Sequence, residues 1–97
     1  MTKYRLTSAA LSELREAALY YERTEPGLGL KFLGEIDETI ERILRFPRAW
    51  HPLSGRSRRC RTHRFPFGIL YQVRSDEILI TAVMDLRRDL RRWRDLI

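Results

Sequence analysis

Residues 56–73 read RSRRCRTHRFPFGILYQV, and the period of this stretch decides the fold. Arg59, Arg61 and His63 alternate with Cys60, Thr62 and Arg64. Phe67, Ile69, Tyr71 and Val73 then alternate with Leu70 and Gln72. A repeat of two is the signature of a pleated strand, whose successive side chains point to opposite faces. The pattern returns at Ile78, Ile80 and Ala82 against Leu79, Thr81 and Val83. Phe65-Pro66 and Ser75-Asp76 supply turn residues between the segments, so the sequence predicts three consecutive strands in an antiparallel meander. The last two are apolar on both faces and belong at the sheet centre. The first, over residues 59–64, carries Arg59, Arg61 and His63 on one face.

Upstream of this stretch the period becomes helical. Leu11, Leu14, Ala18 and Tyr21 step by three and four residues while Glu13, Arg15, Glu16 and Glu22 turn away, which describes an amphipathic helix. Thr7-Ser8 suits its N-cap, and the preceding residues 3–7 read as a short strand. The breaker Glu25-Pro26-Gly27-Leu28-Gly29 ends the helix. A second stripe at Phe32, Ile36, Ile40 and Ile43 runs to Phe46-Pro47, where proline stops further helix. The two helices are expected to form an antiparallel hairpin, and residues 47–55 a loop. Downstream, Asp85 or Asp89 can cap a final short helix with Leu86, Leu90, Trp93 and Ile97 on one side and Arg87, Arg88, Arg91, Arg92 and Arg94 around the rest. The expected fold is α+β, a small antiparallel sheet packed on an N-terminal helical hairpin, in the order β-α-α-β-β-β-α. One domain spans residues 1–97.

Composition narrows the function classes. Hydrophobic residues are 43% and charged residues 33% of the 97, too apolar for a disordered chain. No run approaches the roughly 20 apolar residues of a membrane span, and the N-terminus lacks a signal-peptide core. A cytoplasmic protein is expected. One cysteine, Cys60, and two histidines, His51 and His63, make neither a disulfide nor a zinc set. Gly-rich phosphate loops, paired carboxylates and nucleophile elbows are missing from the sequence, so no metal or cofactor is expected.

The net charge of +6 is unevenly spread. Residues 1–47 hold seven Lys/Arg against eight Asp/Glu, and residues 48–97 hold twelve against five. Seventeen of the nineteen basic residues are arginine, the side chain best shaped for bidentate contact with phosphate or carboxylate. The basic half is therefore expected to meet an acidic macromolecule.

Each candidate residue also has a plainer account. A charged edge strand can simply discourage sheet-to-sheet aggregation, although Arg56 and Arg58 just upstream exceed that need. His63 near Arg61 has the chemistry for acid–base work on a phosphodiester, or packs as an ordinary polar residue. Tyr71 reads as a core aromatic with its hydroxyl at the rim. Cys60 reads as an inert, semi-buried thiol, His51 as loop, and Tyr20-Tyr21 as core. Trp93 lies on a terminal helix that a partner can displace.

Taken together, YYERTEPGLGLKFLGEIDETIERILRFP, RRCRTHRFPFGILYQV and ILITAVMDLRRDLRRWR resemble the RelE/ParE superfamily of type II toxin–antitoxin toxins across nearly the whole chain. The pieces that carry the resemblance are Pro26-Gly27-Leu28-Gly29 before Phe32, Pro47 after the second helix, Arg64-Phe65-Pro66-Phe67 leading to Tyr71, and Arg87-Arg88 with Trp93. The resemblance implies an antiparallel sheet against a helical hairpin. It also implies a cognate antitoxin, often acidic in its toxin-binding tail, and a toxin–antitoxin hetero-oligomer.

RelE-like members cut mRNA on the ribosome without a metal, whereas ParE-like members inhibit DNA gyrase. Nucleases resembling this chain tend to carry arginine where Gly68 stands, and many relatives have histidine at Asp85. No tyrosine follows Arg87-Arg88. The resemblance therefore leans to a ParE-like gyrase inhibitor that is not an enzyme, with Arg59, Arg61, His63, Arg87, Arg88 and Trp93 as the partner-binding set. The alternative is a ribosome-dependent endoribonuclease using Arg61, His63 and Arg87. A third reading is a nucleic-acid-binding module without catalysis.

Overall fold

The computed structural model describes residues 3–88. Its elements run β1 (Lys3–Leu6), α1 (Ser8–Thr24), α2 (Leu28–Arg45), β2 (His51–Pro52), β3 (Ser57–Arg61), β4 (Phe67–Val73) and β5 (Glu77–Asp85). The strands form one five-stranded sheet in the order β1-β5-β4-β3-β2. Strands β3 to β5 form the antiparallel meander that the alternation predicts; β2, inside the expected 47–55 loop, adds an antiparallel edge strand to β3, and β1 pairs parallel to β5, Tyr4 opposite Ile78 and Leu6 opposite Ile80. The sheet is therefore mixed. The helical hairpin lies between β1 and the meander in sequence and serves as the long connection that a parallel pairing needs.

The Thr7 hydroxyl joins β1, α1 and β5. It accepts the Ala10 N–H at 3.1 Å as the N-cap of α1 and donates to the Thr81 carbonyl at 3.4 Å, while the Thr7 N–H reaches the Ile80 carbonyl at 3.0 Å. Thr81 sits where the β4–β5 register slips by one residue, between Leu70 opposite Ala82 and Tyr71 opposite Ile80. That bulge lets Ile78, Ile80 and Val83 all face the helices. Past Leu6, no described strand pairs with β5 on its β1 side, and the Glu13 carboxylate of α1 takes the Val83 N–H at 3.0 Å.

The hairpin closes tightly. Gly27 turns the chain at φ 89, a left-handed conformation that favours glycine. Glu22 at the end of α1 caps the start of α2, accepting the Gly27 and Gly29 N–H groups at 3.0 to 3.1 Å. A Cβ on Gly29 would stand 2.7 Å from the Ala18 carbonyl oxygen, so the helices cross at a point where only glycine fits.

The core lies between the helices and one sheet face. Phe32, Ile36, Ile40 and Ile43 of α2 are buried as their spacing predicts, against Cys60, Ile69, Tyr71, Ile78 and Ile80. Tyr21, Phe32, Phe65 and Phe67 cluster with ring centroids 4.9 to 6.1 Å apart, a mostly edge-to-face arrangement that suits the aromatic quadrupole. On α1, Leu14, Ala18 and Tyr21 face the core as their spacing predicts, and Ala10 replaces Leu11 at the first position of the stripe. Ala10 is fully covered, Leu11 is exposed, and Leu19 and Tyr20 are more than half exposed. The other sheet face buries Leu70, Ala82 and Met84, with Leu53 and Leu86 beside them. Of the predicted final helix, Asp85 instead ends β5 and residues 86–88 form a turn, while the rest, with Asp89, Leu90 and Trp93, lies outside the described residues.

Candidate functional site

Arg59 and Arg61 stand opposite Leu70 and Gly68 on the face away from the helices. Arg59 is half buried. Desolvation, then repulsion from Arg61, lowers its pKa, and its aliphatic stem lies over Gly68. A Cβ built at Gly68 would meet the Leu86 side chain at 3.1 Å and that stem at 3.3 Å. An arginine there would have to displace both. Arg61 is exposed.

His63 does not share this face. Strand β3 ends at Arg61 rather than running to residue 64 as the alternation suggests, and the cause is Glu35 in α2. Its carboxylate is almost completely buried. It accepts the backbone N–H groups of His63 at 3.1 Å and Arg64 at 3.3 Å, and pairs with the Arg64 Nε at 3.5 Å. Two amides that a strand would direct to a neighbour are thus claimed by a helix. Burial alone would raise the Glu35 pKa, but the two N–H groups and the Arg64 charge outweigh it, so the carboxyl lies below its ordinary value. Thr62 finishes the turn, its N–H on the Phe67 carbonyl at 3.0 Å and its hydroxyl on the Phe65 carbonyl at 2.6 Å.

The His63 ring turns toward α2 instead. Arg42 Nη1 lies 2.8 Å from His63 Nε2, and since guanidinium has no acceptor, Nε2 must offer the lone pair. Arg42 also reaches the Thr39 hydroxyl at 3.0 Å and the Arg61 carbonyl at 3.3 Å, and lies over the Trp50 ring. Tyr71 is wholly buried. Its hydroxyl donates to the Pro47 carbonyl at 2.6 Å, and burial pushes the phenol up to about 12. Cys60 is buried rather than semi-buried, and desolvation raises its thiol pKa.

At the far end of β5, Arg87 grips Asp85. Its N–H and Nε approach one carboxylate oxygen at 2.9 and 3.0 Å and Nη2 approaches the other at 2.9 Å. These bonds hold the Asp85 carboxyl below its usual range. Arg88 is exposed. Arg87 and Arg88 rim a cavity of about 510 Å³ between α1 and the end of β5, lined in part by Ala17, Tyr20, Phe67 and Met84. Tyr20 was expected in the core. Its place one residue before the buried Tyr21 was the signal that it faces outward.

The predicted cationic set is therefore divided. Arg59 and Arg61 stay together on the open face, Arg87 and Arg88 gather at the cavity, His63 joins α2, and Trp93 lies outside the described residues. Among these residues no group of His, Cys, Asp and Glu is placed to hold a metal, and no helix is long and apolar enough to cross a membrane.

Comparison with known proteins adds the family. A chain from a structure of the chromosomal ParDE toxin–antitoxin system of P. aeruginosa superposes with a TM-score of 0.79 at 22% identity, over 89% of this chain and 97% of that one. No curated protein matches. The family model described as the ParE toxin of the type II toxin–antitoxin system parDE matches residues 4–90. With that match covering nearly the whole sequence, the chain belongs to the ParE toxin family and is the toxin component of a type II toxin–antitoxin system.

Proposed function

We propose that this toxin acts by inhibiting DNA gyrase and is silenced when its antitoxin covers the cavity between α1 and β5. The observation that carries the choice of target is that the groups fit for acid–base work on RNA are already engaged. His63 Nε2 is held by Arg42, the Tyr71 hydroxyl by Pro47, and Arg87 by Asp85. The sheet position where nucleolytic relatives tend to carry arginine is Gly68, roofed by Leu86 and the Arg59 stem. What remains outward-facing is a surface for protein contact, with Arg61 on one side and Arg88 on the other. The cavity supports the antitoxin assignment through its apolar and aromatic walls, Ala17, Tyr20, Phe67 and Met84, which suit the apolar face of an amphipathic segment, while its rim carries both signs of charge, Arg87 and Arg88 with Glu13, Glu16 and Asp85.

One induction culture tests the target. Loss of plasmid supercoiling or accumulation of gyrase cleavage complexes, with mRNA intact, is the expected result. Codon-phased mRNA cuts with normal supercoiling would instead establish the ribosome-dependent nuclease. Arg61→Ala combined with Arg88→Ala, both exposed, is expected to abolish growth arrest while leaving the circular dichroism spectrum unchanged. A folded, fully toxic double variant would remove both arginines from the target surface.

A further inference from the structure

A second concavity, of about 190 Å³, opens at the opposite end of the sheet from the antitoxin cavity. It is lined by Arg48, Arg56 and Arg58 with Pro52, Gly55 and Val73, and no acidic residue borders it. The three arginines come from separate segments. Arg48 lies in the connection after α2, Arg56 in the turn before β3, and Arg58 on β3. Arg58 stands opposite Tyr71 on the helix-facing side of the sheet, whereas its neighbour Arg59 stands opposite Leu70 on the other.

The three side chains are held differently. Arg58 Nη1 donates to the Trp50 carbonyl at 2.9 Å, which fixes the guanidinium and leaves its other N–H groups for a ligand. Arg48 and Arg56 are exposed and form no ion pair with a described residue. Like charges gathered without a counter-ion repel, and folding gains nothing from the arrangement. It becomes favourable when an anion enters.

We propose that this notch binds a phosphate of a nucleic-acid backbone. Three arginines lining one notch together offer the several N–H donors that a tetrahedral oxyanion takes. A planar carboxylate has two oxygens, which one bidentate arginine already satisfies. Pro52 and Val73 offer little apolar floor, so the notch lacks the anchoring pocket a protein partner needs. The cavity at the other end, with Tyr20 and Met84, has such walls. The notch thus adds to the molecule a contact with nucleic acid that is separate from the Arg59–Arg61 face and independent of the gyrase assignment.

The test is fluorescence anisotropy of the purified protein with a labelled 20-base-pair duplex of mixed sequence, across a salt series. Arg48→Gln with Arg56→Gln is compared with Arg15→Gln plus Arg23→Gln, which removes equal charge from exposed positions on α1. The notch variant is expected to bind at least about tenfold more weakly, with a salt slope smaller by about one, since each phosphate contact contributes roughly 0.9. The α1 variant should stay within about threefold of wild type. Equal losses in the two variants would mean diffuse charge attraction and overturn the site, as would no measurable binding by wild type at low salt. Polyglutamate that displaces the duplex as well as unlabelled DNA does, at matched charge, would overturn the choice of phosphate. Circular dichroism melts check that each variant is folded. Should the double variant melt early, Arg56→Gln alone, in the exposed turn, is read by the same criteria.

Discussion

Replacing Glu35 by glutamine removes the charge that bends the chain away from strand geometry at His63. The wild-type carboxylate accepts two backbone N–H groups and faces the Arg64 guanidinium from a site with 2% side-chain exposure. A hydrogen bond to a charged group is worth about 1.5–3 kcal/mol, and an amide keeps one acceptor oxygen, so Glu35→Gln should cost about 2 kcal/mol. For a domain near 100 residues each kcal/mol moves the midpoint by roughly 4–8 °C, giving a fall of about 10 °C. The deficit should also depend on pH. The folded-state pKa lies below the ordinary value of 4.5, so the contribution of the charge is complete above pH 4.5 and fades as pH falls through the folded value. In thermal melts of both proteins the gap should therefore narrow as pH is lowered from 7 toward and below the ordinary carboxylate range. A gap of under about 2 °C at pH 7, or one that does not change with pH, would refute the role given to this carboxylate.

The remaining predictions concern closure and burial. Gly29→Ala should destabilise the protein by about 1–3 kcal/mol in urea unfolding, because the new Cβ meets the Ala18 carbonyl, a backbone atom that cannot step aside. Tyr71→Phe should cost about 1–2 kcal/mol by freeing the Pro47 carbonyl, yet leave growth arrest intact. With that phenol raised to about 12, and the Tyr21 phenol also raised by burial, an ultraviolet titration of the folded protein should leave at least one of its four tyrosines largely un-ionised at pH 11. Cys60, buried and with its thiol pKa raised, should react with a disulfide reagent at pH 8 only as fast as the protein unfolds; prompt labelling of the native state would contradict its burial.

The helices and the meander were legible because each rests on a short-range rule. Thr7 caps, Gly27 turns, Pro47 stops, and the α2 stripe repeats within four residues. Strand β1 was legible as a strand but not in its direction, since four residues carry no mark of which partner they join; the Thr7 bonds to β5 decide it. Strand β2 is two residues long and includes Pro52, too brief for a period and against strand propensity. The end of β3 was misread because Arg59 to Arg64 continue to alternate while the group that interrupts them lies 28 residues earlier. One sign was available: Glu35 falls inside the apolar stripe between Phe32 and Ile36, where a carboxylate needs donors from elsewhere. The split of the basic residues followed from the same oversight. Adjacent arginines on a strand face opposite ways, so Arg58 and Arg59 serve different surfaces.

The parallel seam between the first strand and the fifth sets a condition on biosynthesis. Residues 3–6 find their neighbours only at 77–80, so an emerging polypeptide cannot finish its sheet until four-fifths of it has left the ribosome, and the loop-closure entropy of that late encounter must then be met. A prematurely terminated product ending before residue 77 would leave α1 without the strand it lies on.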